Sequence, residues 1–170
     1  GIVDDRGVIQ EAPNLGWYGL DLRERLAAEH TGPVFVGNDA NAAALGVHTF
    51  HEASDRSIMV VTIEHGVGAG LIIGGALVSG DQFAAGEIGH LIVDEDGELC
   101  ACGRRGCLAA YSSGRALLER LGIAGIADLT ARVAEPAVAA ALTDAADVLG
   151  VTLATTGTTV NPHRLVLGGS

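Results

Sequence analysis

Residues Gly86–Ser113 read GEIGHLIVDEDGELCACGRRGCLAAYSS. The stretch holds His90 and all three cysteines of the chain, Cys100, Cys102 and Cys107. Three thiols cannot pair off evenly, and clustered cytosolic thiols are more often metal ligands than disulfides. Three thiolates and one imidazole form a soft tetrahedral set that suits zinc. Gly97, Gly103 and Gly106 let the backbone wrap around one small ion. Four protein ligands close such a site, so zinc is expected to be structural rather than a source of hydroxide. The bland alternative is three unrelated thiols beside a surface histidine. The one-residue spacing between Cys100 and Cys102, with glycines at its flank, argues against it.

Outward from this segment, the composition bounds the rest. The chain has 170 residues, enough for one domain or one domain with part of another. Apolar residues make up 48% but aromatics only 4%, so Ala, Val, Leu, Ile and Gly must fill the core. All ten basic residues are arginine, read as codon bias. The net charge of −11 repels phosphate backbones and makes this chain a poor nucleic-acid binder. No uninterrupted apolar run of about 18 residues and no leader sequence is visible, which predicts a cytoplasmic protein without a membrane partner. The chain opens as though inside a strand and ends on a glycine pair, so a fragment of a longer chain is expected.

The local patterns predict mixed α/β structure. Residues 1–10 read as two extended segments turned at Asp5-Arg6-Gly7. Residues 21–30 read as an amphipathic helix, with Leu22, Leu26 and Ala27 on one face and Gly32-Pro33 behind it. PVFVGND reads as a short buried strand entering a polar turn. Asn38 or Asp39 then caps an Ala-rich helix. SIMVVTI, AGLIIGG and ALVSG read as three strands, with Gly74-Gly75 as a two-residue hairpin turn. Helices are expected near 113–121 and 126–133 and from about Pro136 to Thr159, before a last strand, RLVLGG.

GEIGHLIVDEDGELCACGRRGC resembles the signature of the ROK family, bacterial sugar kinases and sugar-responsive transcriptional repressors. GIVDDRGVI, APNLGW, VGNDANAAALG, GVGAG and LVLGG resemble further family segments, so the likeness covers almost the whole chain. It implies an actin-like, ribonuclease-H-like fold of two lobes around a cleft. Residues 1–48 would end the first lobe and carry the sugar-binding Asn-Asp pair. Residues 49–170 would form most of the second lobe, with the zinc loop and dimerising helices. The first phosphate loop and any DNA-binding segment would lie upstream.

The resemblance further implies that Asn38, Asp39, Glu87 and His90 bind a sugar, and that Asp39 is the catalytic base if the protein is a kinase. Hexose recognition needs buried polar groups to pair with several hydroxyls. Read alone, Asp39 is a helix cap and Glu87 a solvated surface residue; capping and sugar binding are compatible. His90 would use one ring nitrogen on zinc and the other on a sugar hydroxyl. Gly66, Gly68 and Gly70 fall where the family has a phosphate-facing loop, although a plain hairpin bend explains them as well.

Two departures matter. Ala109 stands where the family usually has a sugar-binding Glu. Glu64-His65 replaces the Gly-Thr of the kinase loop, and an acid beside a triphosphate is electrostatically wrong. The expectation is therefore the sugar-sensing effector part of a ROK-type regulator: a homodimer binding a small-molecule sugar and touching DNA only through an N-terminal segment. The alternative is a fragment of a glucokinase-like enzyme that uses ATP. A third reading keeps fold and zinc but has lost the sugar site.

Overall fold

The structure, a computed structural model, describes residues 1–51 and 56–169. Residues 52–55 and Ser170, counted in the expected second lobe, lie outside the described residues. Two sheets organise the chain. In the first, β1 (Ile2–Val3), β2 (Val8–Ala12) and β3 (Trp17–Asp21) pair antiparallel in that order. The expected turn at Asp5-Arg6-Gly7 joins β1 to β2. Its anchor is Asp4, buried and bonded to the Val8 and Arg6 amides and to the Arg6 and Gln10 side chains. These bonds, the Val8 amide first, hold the Asp4 carboxyl down at about 2.

α1 (Leu22–Glu29) follows, capped by Asp21, whose carboxylate accepts from the Glu24 amide. It buries no residue: of the expected apolar face Leu22 is half-buried and Leu26 and Ala27 are exposed, and the helix start is tied to the first sheet where the Arg23 amide meets the Gly7 carbonyl. PVFVGND is not a strand: it pairs with no described strand, and Phe35 is 91% exposed. Its alternation of half-buried Val34 and Val36 with Phe35 imitates a strand without the neighbour that would satisfy its backbone.

α2 (Asp39–His51) leads to the second sheet, and the division expected between residues 48 and 49 falls within this helix. The sheet contains β4 (Ile58–Ile63), β5 (Val67–Ile73), β6 (Ala76–Leu77) and β7 (Arg164–Gly168), in the order β6-β5-β4-β7. β4–β5–β6 is an antiparallel meander, turned between β5 and β6 at Gly74-Gly75 as expected; both glycines have positive φ. β7 returns parallel to β4. β4 is buried on both faces, as its continuous apolar run requires. Ile58 and Val60 pack with Ala44 and Ile72 under α2. Met59 and Val61 pack on the opposite face with Leu108 and Leu149.

The remaining helices lie on that second face. They are α3 (Ala109–Ser112), α4 (Gly114–Leu121), α5 (Ile126–Ala131) and α6 (Pro136–Val160). α6 is long and apolar enough, by length and composition, to cross a bilayer. Here Leu149 packs against the sheet, and Val138, Ala141 and Ala145 pack with Leu117, Ile123 and Leu129 of the α4–α5 region. Between β6 and α3 runs the cysteine loop, ordered by its own hydrogen bonds. Tyr111 donates to Asp94 and accepts from the Glu98 amide, and the Leu108 amide donates to the Leu91 carbonyl.

Candidate sugar cleft and metal centre

Glu87 and His90 are placed by the two glycines between and before them. The Gly86 carbonyl accepts from the Ala69 amide of β5 at 2.8 Å, and Gly86 has φ +86°. A Cβ on Gly86 would strike the Ala69 carbonyl, and one on Gly89 would strike the Val67 carbonyl. Only glycine permits so close an approach of backbone to backbone. The single-turn 3-10 helix Ile88–His90 is thereby pressed onto β5, with Ile88 buried in the core. Glu87 and His90 are left on its open side, lining a cleft of about 930 Å³.

Asn38 comes to the same cleft from the start of α2. The structure settles which residue caps that helix: Asn38 Oδ1 accepts from the Asn41 amide at 3.0 Å. Asn38 Nδ2 donates to the Gly1 carbonyl at 2.9 Å and reaches Glu87 Oε1 at 3.4 Å. The amide therefore ties the first sheet to α2 and to the Glu87 turn. Asp39, released from capping duty, is an exposed carboxylate on the cleft wall, its Oδ1 accepting from the adjacent Ala40 amide. Glu64, His65, Gly66 and Gly68 also line the cleft, and so does Ala109 with only a methyl group. Gly70 sits elsewhere. A Cβ there would collide with Ala40 and Ala44, so its bareness admits α2 onto β5.

Beside the cleft, one ligand atom from each of His90, Cys100, Cys102 and Cys107 lies within 4.8 Å of the others. Cys102 Sγ and Cys107 Sγ are 3.7 Å apart, and Cys100 Sγ is 3.7 Å from His90 Nδ1. Zn–S bonds of about 2.3 Å at the tetrahedral angle place two sulfurs roughly 3.8 Å apart, and a sulfur and an imidazole nitrogen roughly 3.6 Å apart. The four donors thus fit a tetrahedral ion such as zinc, without rearrangement of these two edges.

The local electrostatics agree. Burial, joined by the hydrogen bonds and charges of the other thiols, pushes the Cys107 thiol up to about 12. Three thiolates this close need a cation to coexist. Burial also acts to raise the Cys102 thiol, but hydrogen bonds from Arg104 and the neighbouring thiols outweigh it and lower it. Burial lowers His90, more than the nearby Glu87 carboxylate raises it, favouring the neutral, ligating imidazole.

Sequence reasoning missed three residues. Arg104 bonds Cys102, Arg115 lines the cleft, and Asn14 reaches it from the turn before β3. An arginine beside two cysteines is a local signal for the first. Asn14 falls within APNLGW, quoted above only for its resemblance, and nothing local signals Arg115, which reaches the cleft from the start of α4.

The sequence profile of the ROK family matches residues 1–170. The chain is 34% identical over 178 aligned residues to a xylose repressor of Bacillus spizizenii, covering 100% of this chain and 46% of the repressor. It is 42% identical over 115 residues to a glucokinase of Streptomyces coelicolor, covering 67% of this chain and 36% of that enzyme. Among solved structures, a ROK family glucokinase from Streptomyces griseus in complex with glucose and AMPPNP superposes with a TM-score of 0.86. Its identity is 31%, over 99% of this chain and 62% of the other. A ROK family transcriptional regulator, a homologue of the E. coli MLC protein, gives 0.83 at 27% identity, over 99% of this chain and 48% of the other. The fold is therefore the actin-like α/β fold of these proteins, and its relatives are repressors and kinases alike. This chain belongs to the ROK family.

Proposed function

We propose that the chain is the sugar-sensing effector part of a ROK-type transcriptional regulator, clamped by a structural zinc. The observation that carries this reading is the composition of one cleft. Asn38, Asp39, Glu87 and His90 line it together with Glu64, His65 and Ala109. The first four are hydroxyl partners. Glu64 is poor company for a triphosphate, His65 stands in place of a phosphate-facing Thr, and Ala109 omits a carboxylate that would hold the sugar for in-line phosphoryl transfer; Arg104 and Arg115 line the same cleft.

In this reading Glu87 accepts hydroxyl hydrogens and is itself held by Asn38. Asp39 acts as a second acceptor rather than as a base. His90 turns Nε2 toward the sugar side while Nδ1 faces the thiols. Zinc bound by His90, Cys100, Cys102 and Cys107 would fix that ring and the loop behind it. The first sheet ends the first lobe, and the second sheet with α2 packed on it belongs to the second, so a sugar between them biases the lobes' relative position. The protein is assigned to the cytoplasm as a homodimer. DNA contact is assigned to an N-terminal segment outside this chain, because the −11 charge disfavours phosphates.

The kinase reading keeps one observation in its favour: Asp39 presents an exposed carboxylate to the cleft, where a base for a sugar hydroxyl would stand. It would make the chain part of an ATP-dependent hexose kinase.

The test is calorimetric titration of zinc-loaded protein with aldohexoses, aldopentoses and aminohexoses. Saturable binding that Glu87→Ala abolishes supports the reading. No binding of any sugar, with zinc in place, overturns it in favour of a protein that keeps fold and metal alone.

A further inference from the structure

We infer that Glu11 is a sugar-contact residue, supplying from the first sheet the carboxylate that Ala109 does not offer. The inference rests on the sugar reading above and deepens it by assigning the site a specificity-determining residue. Three observations carry it.

The first is position. Glu11 stands on β2, the central strand of the first sheet, opposite Ile2 of β1 and Tyr18 of β3. It lines the cleft that Asn38, Asp39, Glu87, His90 and Ala109 also line. Two relations put it at the Asn38–His90 end. A Cβ on Gly1 would lie 2.7 Å from the Glu11 carbonyl, and the Gly1 carbonyl is the one that Asn38 Nδ2 holds at 2.9 Å. The Glu11 carboxylate is also among the charges that bear on the His90 ring.

The second is an unmet acceptor. Glu11 is half-buried, yet its carboxylate has no hydrogen bond or ion pair among the described residues. The other carboxylates of the cleft differ. Asp39 and Glu64 are exposed to water, and half-buried Glu87 is met by Asn38. Polar groups drawn away from water normally regain a partner. A sugar hydroxyl is a neutral donor and suits an unpaired carboxylate; an anion does not.

The third is the wall across the cleft. Ala109, at the start of α3, brings only a methyl group to it. A carboxylate can meet a sugar hydroxyl from either wall, so Glu11 can do from the first sheet what Ala109 cannot do from α3. The choice of wall has a consequence. Glu87 and His90 sit on a turn pressed onto β5 of the second sheet, whereas Glu11 belongs to the first. A sugar held by both ties the two sheets together, which couples its affinity to their relative position.

The experiment is calorimetric titration of zinc-loaded protein with glucose, xylose, mannose and glucosamine. The proteins are wild type, Glu11→Ala, Glu11→Gln, Ala109→Glu and the double variant Glu11→Ala with Ala109→Glu. Glu11→Ala should weaken the best-bound sugar about tenfold or more, the loss expected for a hydrogen bond to a charged group. Glu11→Gln, of the same size but uncharged, should weaken it in the same direction. Zinc content and thermal midpoint should stay near wild type in both, because the carboxylate holds nothing in the free protein. Ala109→Glu should restore most of the affinity lost in Glu11→Ala, and its gain there should exceed its gain in wild type. Independent positions show no such coupling. Affinity within about twofold of wild type in both Glu11 variants overturns the inference and leaves the sensor reading standing. So do equal gains from Ala109→Glu in the two backgrounds, or a fall in midpoint that accompanies the fall in affinity. No binding of any of the four sugars by wild type overturns the sensor reading itself, and this inference with it.

Discussion

Glu87 Oε2 lies 3.8 Å from His90 Nε2, while the other ring nitrogen of His90, Nδ1, lies 3.7 Å from Cys100 Sγ. One imidazole therefore stands between a thiol cluster and a carboxylate. Glu87 continues the chain of contacts to Asn38 at 3.4 Å, and Asn38 to the Gly1 carbonyl. Whatever fixes the ring fixes the cleft wall.

Purified protein should contain about one zinc per chain by metal analysis. Chelation should lower the thermal midpoint, because metal affinity at such a site is also folding free energy. Cys102→Ser should loosen the loop and lower the midpoint in the same direction. A well-ordered protein with no metal and three free thiols would contradict this.

Acid should reveal Asp4. Its carboxyl is held at about 2, below its ordinary 3.8, chiefly by the Val8 amide and then by Arg6. A depressed carboxylate contributes stability that is full above the unfolded value and is lost as pH falls through the folded one. Stability should thus decline from about pH 4 toward pH 2. Asp4→Asn should flatten that limb of the curve and lower the midpoint at pH 7. Unfolding curves for both proteins between pH 2 and 7 check this; identical acid limbs would refute it.

The cleft variants should move affinity in opposite directions. Asp39→Asn keeps a carbonyl oxygen and should weaken sugar binding by about 1–3 kcal/mol, the range for a charge-assisted hydrogen bond. Ala109→Glu adds a carboxylate to the cleft wall and should tighten monosaccharide binding. Titration of both variants is the measurement, and unchanged affinity in both would remove these positions from the site.

The chain by itself should not shift a DNA fragment in a gel at moderate salt. Its net charge of −11 repels the phosphates of the duplex. A salt-sensitive complex would contradict the assignment of DNA contact to another segment.

How much of this was legible in the sequence follows from how local each signal is. The cysteine spacing is local, and the structure gathers those four donors within 4.8 Å. Gly74-Gly75 and the long helix after Pro136 are also local, and both form as read. PVFVGND was misread because apolar alternation does not say whether a partner strand exists. β3 went unread because its exposed Trp17, Tyr18 and Gly19 carry no inward pattern; only pairing with β2 defines it. Asp4 carried no signal of its own, and its burial comes with bonds to Arg6, Val8 and Gln10 that only the closed hairpin makes. Gly70 resembled part of a phosphate loop, whereas its neighbours in space are Ala40 and Ala44 of α2.

The central claim is a sugar site without phosphoryl transfer, and a coupled ADP-release assay tests it most directly. Zinc-loaded protein is mixed with ATP, magnesium and each sugar that binds in calorimetry. The account predicts no sugar-dependent ADP release above background, with Glu64, His65 and Ala109 in the cleft. Steady turnover at about one per second or faster, the range of working enzymes, would contradict it and establish the kinase reading.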